Sequence, residues 1–291
     1  ASLIRIYFRY ICVQNRSMYT EYQPSHLLVP YIDSYWEFKG NPDYGMRIHI
    51  LPDGCTDFIF TLGEVANAVE EGSLIMQPYR SYFVGPMTKY SELVTYTESI
   101  HMFGVRFLPC GLSCFTNLPL HEFVNSRVST NEMKAVFDDT FIEKLGEQKH
   151  VTDRIRVVEE YLLAYLARHY QPADSHVAMA VNMINHSKGK RSVRSLMDDV
   201  CLCQRHFERK FKHYTGFTPK EYSRIVKFKN AVELLRTTTS ANLLTTAVDA
   251  GYYDLAHFSK EIKSMSGNTP ASFLSLTVPE ETTLTYIEPQ R

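Results

Sequence analysis

Two stretches of this sequence place amide and cationic side chains at the start of a helix-length segment whose opposite face is apolar. The first runs Cys203-Gln204-Arg205-His206-Phe207-Glu208-Arg209-Lys210-Phe211-Lys212 and closes on Gly216-Phe217-Thr218-Pro219. The second runs Asp254-Leu255-Ala256-His257-Phe258-Ser259-Lys260-Glu261-Ile262-Lys263 and closes on Gly267-Asn268-Thr269-Pro270. Their chemistry is recognition. Arg donates two hydrogen bonds to a guanine edge, Gln pairs with adenine in the same bidentate way, and Lys and Arg neutralise phosphates. Phe207 and Phe211, then Leu255, Phe258 and Ile262, form the side that seats each helix in a core. The candidate DNA-reading residues are Gln204, Arg205, His206, Arg209 and Lys210 in the first copy and Ala256, His257 and Lys260 in the second, with Leu255 at its head.

The two stretches are copies of one layout. Phe207 aligns with Phe258, Phe211 with Ile262, Lys212 with Lys263, Gly216 with Gly267 and Pro219 with Pro270, always at an offset of 51. Each copy reads as a short helix, a tight turn and a second helix. Gly251 suits the second turn, and Asp254 suits an N-cap, because its carboxylate accepts from free backbone N–H groups. Glu221 to Arg236 carries Ile225, Phe228, Val232 and Leu235 at helical spacing and is expected to link the copies. At ~1.5 Å per residue it suits two reading heads set about one DNA turn apart.

Charge agrees with this placement. The net charge of the chain is -1, yet residues 172–278 hold 15 Lys and Arg against 9 Asp and Glu, while the rest is acidic. A basic module on an acidic body suggests a polyanionic partner. Hydrophobic content of 44% and charged content of 22% fit a globular protein and exclude disordered and fibrous classes. No apolar run reaches the ~20 residues of a membrane span, and a cytoplasmic protein is expected. The segment Ala1–Val13 is broken by Arg5 and Arg9 and does not read as a signal peptide, and Met18 is a candidate natural start.

Further upstream, turn signals alternate with short apolar runs. Pro52-Asp53-Gly54 joins Arg47–Leu51 to Thr56–Phe60, both read as strands, and His101–Phe107 is a third. Several short strands at such spacing predict a sandwich or barrel. Trp36, with Arg47, His49 and Arg106, is a candidate effector pocket, although a core aromatic with surface polar residues explains the same pattern. Ile155, Val158, Leu162, Tyr165 and His169 form a heptad-spaced seam. It predicts a core-facing helix or a dimer contact.

Six cysteines show no paired framework. Cys110 and Cys114, with His101 and His121 nearby, do not have zinc-ligand spacing, so neither a metal nor a cofactor is expected. No phosphate loop, nucleophile elbow or paired carboxylates point to an enzyme.

Residues 175–277 resemble the DNA-binding domain of the AraC/XylS family of bacterial transcription regulators. The resemblance rests on Ala247, Ala250-Gly251-Tyr252, Asp254-x-x-His257-Phe258-Ser259-Lys260 and Gly267-x-Thr269-Pro270. It also covers Arg205-x-Phe207-x-Arg209-x-Phe211-Lys212 in the first copy and Ala231 with Leu234-Leu235 in the link. It implies a seven-helix, two-headed module that binds promoter DNA, with RNA polymerase as a further partner. Departures are Met197 for a small residue, Cys201 where Gly is usual, Cys203 for the usual Ser, and Ile262 for Phe; they leave two cysteines near the DNA face, for which packing and a redox role are the two readings, packing the simpler. More weakly, Pro24, Leu27, Tyr35-Trp36, Leu51–Ile59, Val84-Gly85-Pro86 and Gly104–Pro109 resemble the β-rich domain often found ahead of such modules. That domain implies effector sensing, homodimerisation or both.

The expected architecture is α+β. An N-terminal extension (1–18) precedes a β-rich sensor domain (19–130), a helical linker with a possible dimerisation role (131–171), the double helix-turn-helix domain (172–278) and a polar tail (279–291). The expected function is sequence-specific transcription regulation. Two rivals are a DNA-repair methyl acceptor, which would need a metal-bound acceptor cysteine cluster, and a ligand-binding protein that has lost DNA binding.

Overall fold

The computed structural model describes residues 18–133, 136–137, 139–169, 171–200, 202–237, 243–274 and 285–288. Its first part contains β1 (Tyr19–Tyr22), β2 (Ile32–Gly40), β3 (Met46–Ile50), β4 (Thr56–Thr61), β5 (Asn67–Ala68), β6 (Ser81–Val84), β7 (Ser91–Thr95), β8 (Ile100–Phe107) and β9 (Arg127–Ser129). Then follow α1 (Asp139–Gly146), α2 (Val151–His169), α3 (Ser175–His186), α4 (Val193–Val200), α5 (Gln204–Thr215), α6 (Pro219–Thr237), α7 (Leu243–Asp249), α8 (Leu255–Ser266), α9 (Pro270–Leu274) and β10 (Thr285–Glu288).

The strands build two antiparallel sheets, ordered β1-β2-β8-β4-β6-β9 and β10-β3-β7-β5. They do not close into a barrel, so of the two expected forms the sandwich is realised. Strand alternation explains the layering, since successive side chains point to opposite faces. From β4 and β8, Ile59 and Met102 enter the core between the sheets, while Phe58, Phe60, Phe103 and Phe107 enter a second core on the far face. α1 and α2 cover that second core with Phe141, Leu145, Val158 and Leu162. The heptad-spaced seam is therefore used inside the chain: Val158 and Leu162 are fully buried, and Ile155 and Tyr165 pack beside them. His169 rests against Tyr165. Of the two expected roles, the core-facing one is the role seen within the chain.

The Pro52-Asp53-Gly54 turn carries the chain from one sheet to the other. Asp53 Oδ1 accepts from the Cys55 N–H at 2.8 Å, and Gly54 adopts φ +88°, which L side chains avoid.

The helices α3 to α9 surround one core of their own. Phe207 and Phe211 of α5, Ile225 and Phe228 of α6, and Phe258 and Ile262 of α8 are all buried in it. Leu51 and Cys110 of the front domain join the same core, so the two parts pack against each other.

Candidate nucleic-acid interface

Each head pairs a short helix with a longer one: α4 with α5, and α7 with α8. Short-range bonds define where the longer helices begin and end. α8 starts at Asp254, whose carboxylate accepts from the His257 N–H at 2.7 Å. α5 starts at the equivalent position, Cys203, whose side chain makes no capping bond. Both helices stop at a glycine in the left-handed region, Gly216 at φ +82° and Gly267 at φ +75°. The duplication extends into the last turn. Thr215 Oγ1 donates to the Phe211 carbonyl and accepts from the Phe217 N–H; Ser266 Oγ donates to the Ile262 carbonyl and accepts from the Asn268 N–H.

Beyond α5, Thr218 and Glu221 form a reciprocal capping box at the start of α6. Its 19 residues span ~28 Å at ~1.5 Å per residue. α6 braces the second head directly. Arg224 grips Glu261 with Nε and Nη2 at 3.0 and 2.9 Å, and Lys227 Nζ reaches the Gly251 carbonyl at 3.2 Å and lies over the Tyr252 ring.

Of the sequence-predicted contacts in the first head, Gln204, Arg205 and Arg209 are exposed and His206 is half-buried. In the second, Leu255, Ala256, His257 and Lys260 are exposed. Gln204 donates to Glu208 at 2.9 Å, and Arg209 lies 3.2 Å from His206 Nδ1. The Arg205 side chain occupies the same helical position as Ala256, and Arg209 the same as Lys260.

Lys210 belongs elsewhere. Its ammonium donates to Asp174 at 2.6 Å, and Asp174 also caps α3 by accepting from the His176 and Val177 N–H groups. Burial resists ionisation of Asp174, yet the Lys210 bond and the Val177 N–H hold its carboxyl below the usual aspartate range. The equivalent position in the second head is Glu261, committed to Arg224. This position ties each reading helix back to its domain, so we place Lys210 in that tie. Tyr253, 92% exposed just before the α8 cap, stands beside the exposed residues at the head of that helix. Its only sequence mark is an aromatic side chain in a turn.

The four residues expected to line an effector pocket fall into two separate pairs. Trp36 Nε1 donates to Asp57 Oδ1 at 2.7 Å, and Arg106 lies against Asp57, Asp53 and Glu21. This cluster is packed, with one guanidinium among three carboxylates, and burial, with Asp53 nearby, pushes the Asp57 carboxyl above the usual aspartate range. Arg47 and His49 stand on β3, both beside Glu92. The cysteine–histidine group also disperses. Cys110 and Cys114 are buried free thiols, His101 pairs with Glu37, and His121 faces His213. Among the described residues no group of three or more His, Cys, Asp or Glu side chains fits a metal ion. Cys203 is free and exposed, while Cys201 lies outside the described residues. No described helix is long and apolar enough to cross a membrane.

Residues 196–275 match the family described as a helix-turn-helix domain. The chain carries an AraC-type helix-turn-helix domain. Residues 20–129 match a domain of unknown function (DUF6597), which ends just before the helical linker and leaves the helix-turn-helix domain as a separate unit. The fold of the whole chain is similar to that of ToxT from Vibrio cholerae, with a TM-score of 0.50 at 9% identity over 85% of this chain and 100% of that one. ToxT with a bound unsaturated fatty acid gives a TM-score of 0.48 at 11% identity, over 86% and 99%. A probable AraC family transcriptional regulator from Rhodopseudomonas palustris is 20% identical over 36% of this chain and 100% of its own, with a TM-score of 0.33. No curated protein matches the chain. The helix-turn-helix domain, a DNA-binding type, thus sits behind a β-sandwich in a two-domain fold similar to that of ToxT.

Proposed function

We propose that the chain is a sequence-specific transcription regulator that lays α5 and α8 into adjacent major grooves of promoter DNA. The observation that carries this reading is the equivalence of the two heads: matched glycine stops, matched last-turn bonds, one connecting helix and exposed polar residues at each N-terminal end. Recognition helices of this class read base edges with their N-terminal residues. Gln204, Arg205 and Arg209 read one groove, and Ala256, His257 and Lys260 the next. The surrounding lysines and arginines supply salt-dependent affinity for phosphates.

The front domain is read as the sensor that modulates this binding. Support comes from its packing: Leu51 and Cys110 lie in the helical core, and Tyr222 of α6 meets the β3–β4 turn. RNA polymerase and a second copy of the chain are the further partners this function calls for, and the cytoplasm is its place.

The test is binding of the full chain to its own promoter at fixed salt. Arg205→Ala is expected to cost ~1–3 kcal/mol of specific affinity and to relax base choice at one position. Parent-like binding by that variant would remove α5 from the reading.

A further inference from the structure

The open side of the sandwich holds a cavity of about 440 Å³. That lies within the ~300–1,000 Å³ typical of ligand clefts. It sits where the two sheets fail to meet. Val84, Arg127 and Val128 of the paired strands β6 and β9 form one wall, and Ser91 at the head of β7 faces them. The loop after β5, with Glu70, Glu71 and Leu74, forms the rim.

Arg127 is the unusual group. Burial pushes its guanidinium below the ordinary arginine value. Its Nη2 donates to Ser91 Oγ at 2.8 Å. Among the described residues no carboxylate stands within ion-pair distance of it; Glu70, which favours its charge from farther off, pairs with Lys89 at 3.0 Å. A half-buried guanidinium with spare donors facing an open cavity is complementary to a carboxylate, which it can hold with two parallel bonds. Glu71 offers the opposite charge at the rim and enters no ion pair among the described residues. Leu74, Val84 and Met87 add apolar side chains to the lining.

We propose that this cavity binds a small zwitterion of the amino-acid type, its carboxylate on Arg127, its ammonium towards Glu70 and Glu71, and its apolar side chain against Val84 and Leu74. None of Trp36, Arg47, His49 or Arg106 lines it. The cavity wall includes Tyr90, whose ring packs on His49 and also lies against Gly267, the stop of α8. An occupant touching Tyr90 therefore acts next to the second reading helix. The proposal rests on the sensor reading of the front domain.

The experiment is calorimetric titration of the full chain, without DNA, with L-leucine, L-methionine, L-valine and L-phenylalanine. Each is compared with its carboxamide, which lacks the carboxylate, and its deaminated acid, which lacks the ammonium. At least one amino acid is expected to bind, with both analogues roughly tenfold or more weaker, the scale of one lost charged hydrogen bond. Arg127→Gln is expected to abolish that binding, and Glu71→Gln, at an exposed rim position, to weaken it severalfold while the melting curve stays parental. Absence of heat with all four amino acids overturns the proposal. So does a deaminated acid that binds as tightly as its parent, or an unaffected, folded Glu71→Gln. Because DNA is absent from the cell, failure here leaves the promoter-binding result untouched, and a chain that binds leucine but no promoter would sink only the DNA reading.

Discussion

The ring of Tyr222, at the start of α6, lies against Gly54 in the turn between the two sheets. A Cβ at Gly54 would stand 2.8 Å from Tyr222 Cε2. The same turn accepts Lys229 Nζ on the Asp53 carbonyl at 3.1 Å, and the Tyr222 hydroxyl bonds Asn185 of α3 at 3.0 Å. One short turn thus joins both sheets of the front domain to the helix that joins both reading heads.

Gly54→Ala meets this contact and a positive φ together. It is expected to lower stability by ~1–3 kcal/mol, from backbone strain and overpacking. Denaturant unfolding of the full chain measures it. A variant as stable as the parent would mean that the turn is not seated on α6.

The N-caps of the two heads differ, and the difference is measurable. Asp254→Ala is expected to cost ~0.5–2 kcal/mol, whereas Cys203→Asp adds a missing cap to α5 and is expected to gain up to ~1 kcal/mol. Paired thermal melts under reducing conditions check both signs. An unchanged melt for Cys203→Asp would show that the α5 start is satisfied in another way.

Lys210 and Arg209 are neighbours with different assignments. Arg209→Ala is expected to weaken promoter binding and reduce its salt dependence by about one counterion, with little loss of stability. Lys210→Ala breaks the bond to Asp174, so its main effect is expected in the melt, with base choice kept. If both variants behave alike in the two assays, the division of roles between them is wrong.

The Asp174 tie also sets an acid limit. Its carboxyl is held lower in the folded chain than in the unfolded one. Its contribution is therefore complete above the ordinary aspartate value of ~3.9 and is lost as pH falls through the lower folded value. The stability gap between the parent and Asp174→Asn is expected to be constant from pH 5 to 7, at roughly those bounds, and to narrow below ~pH 4. A gap that stays open in acid would contradict the tie.

The reading heads were legible because their signals are short-range. Asp254 needs only the N–H three residues on, Gly216 and Gly267 need only the turn they end, and the offset of 51 survives without any knowledge of packing. The strands were legible for the same reason, since alternation along β4 and β8 reflects local geometry. The effector residues were not. Trp36 and Arg106 meet around Asp57, whereas Arg47 and His49 meet Glu92 on another sheet. Nothing in their spacing distinguishes one group from two.

By itself the sequence determined a basic, duplicated pair of helical heads behind a β-rich domain, because caps, periodicity and charge are properties of neighbouring residues. Only the tertiary structure decided that Lys210 holds Asp174 across 36 positions, that Lys229 reaches Asp53 across 176, and that Arg127 faces an open seam between sheets. Those outcomes depend on which distant segments a folded core brings together and on which charges it leaves unmatched, and no local rule along the chain fixes either.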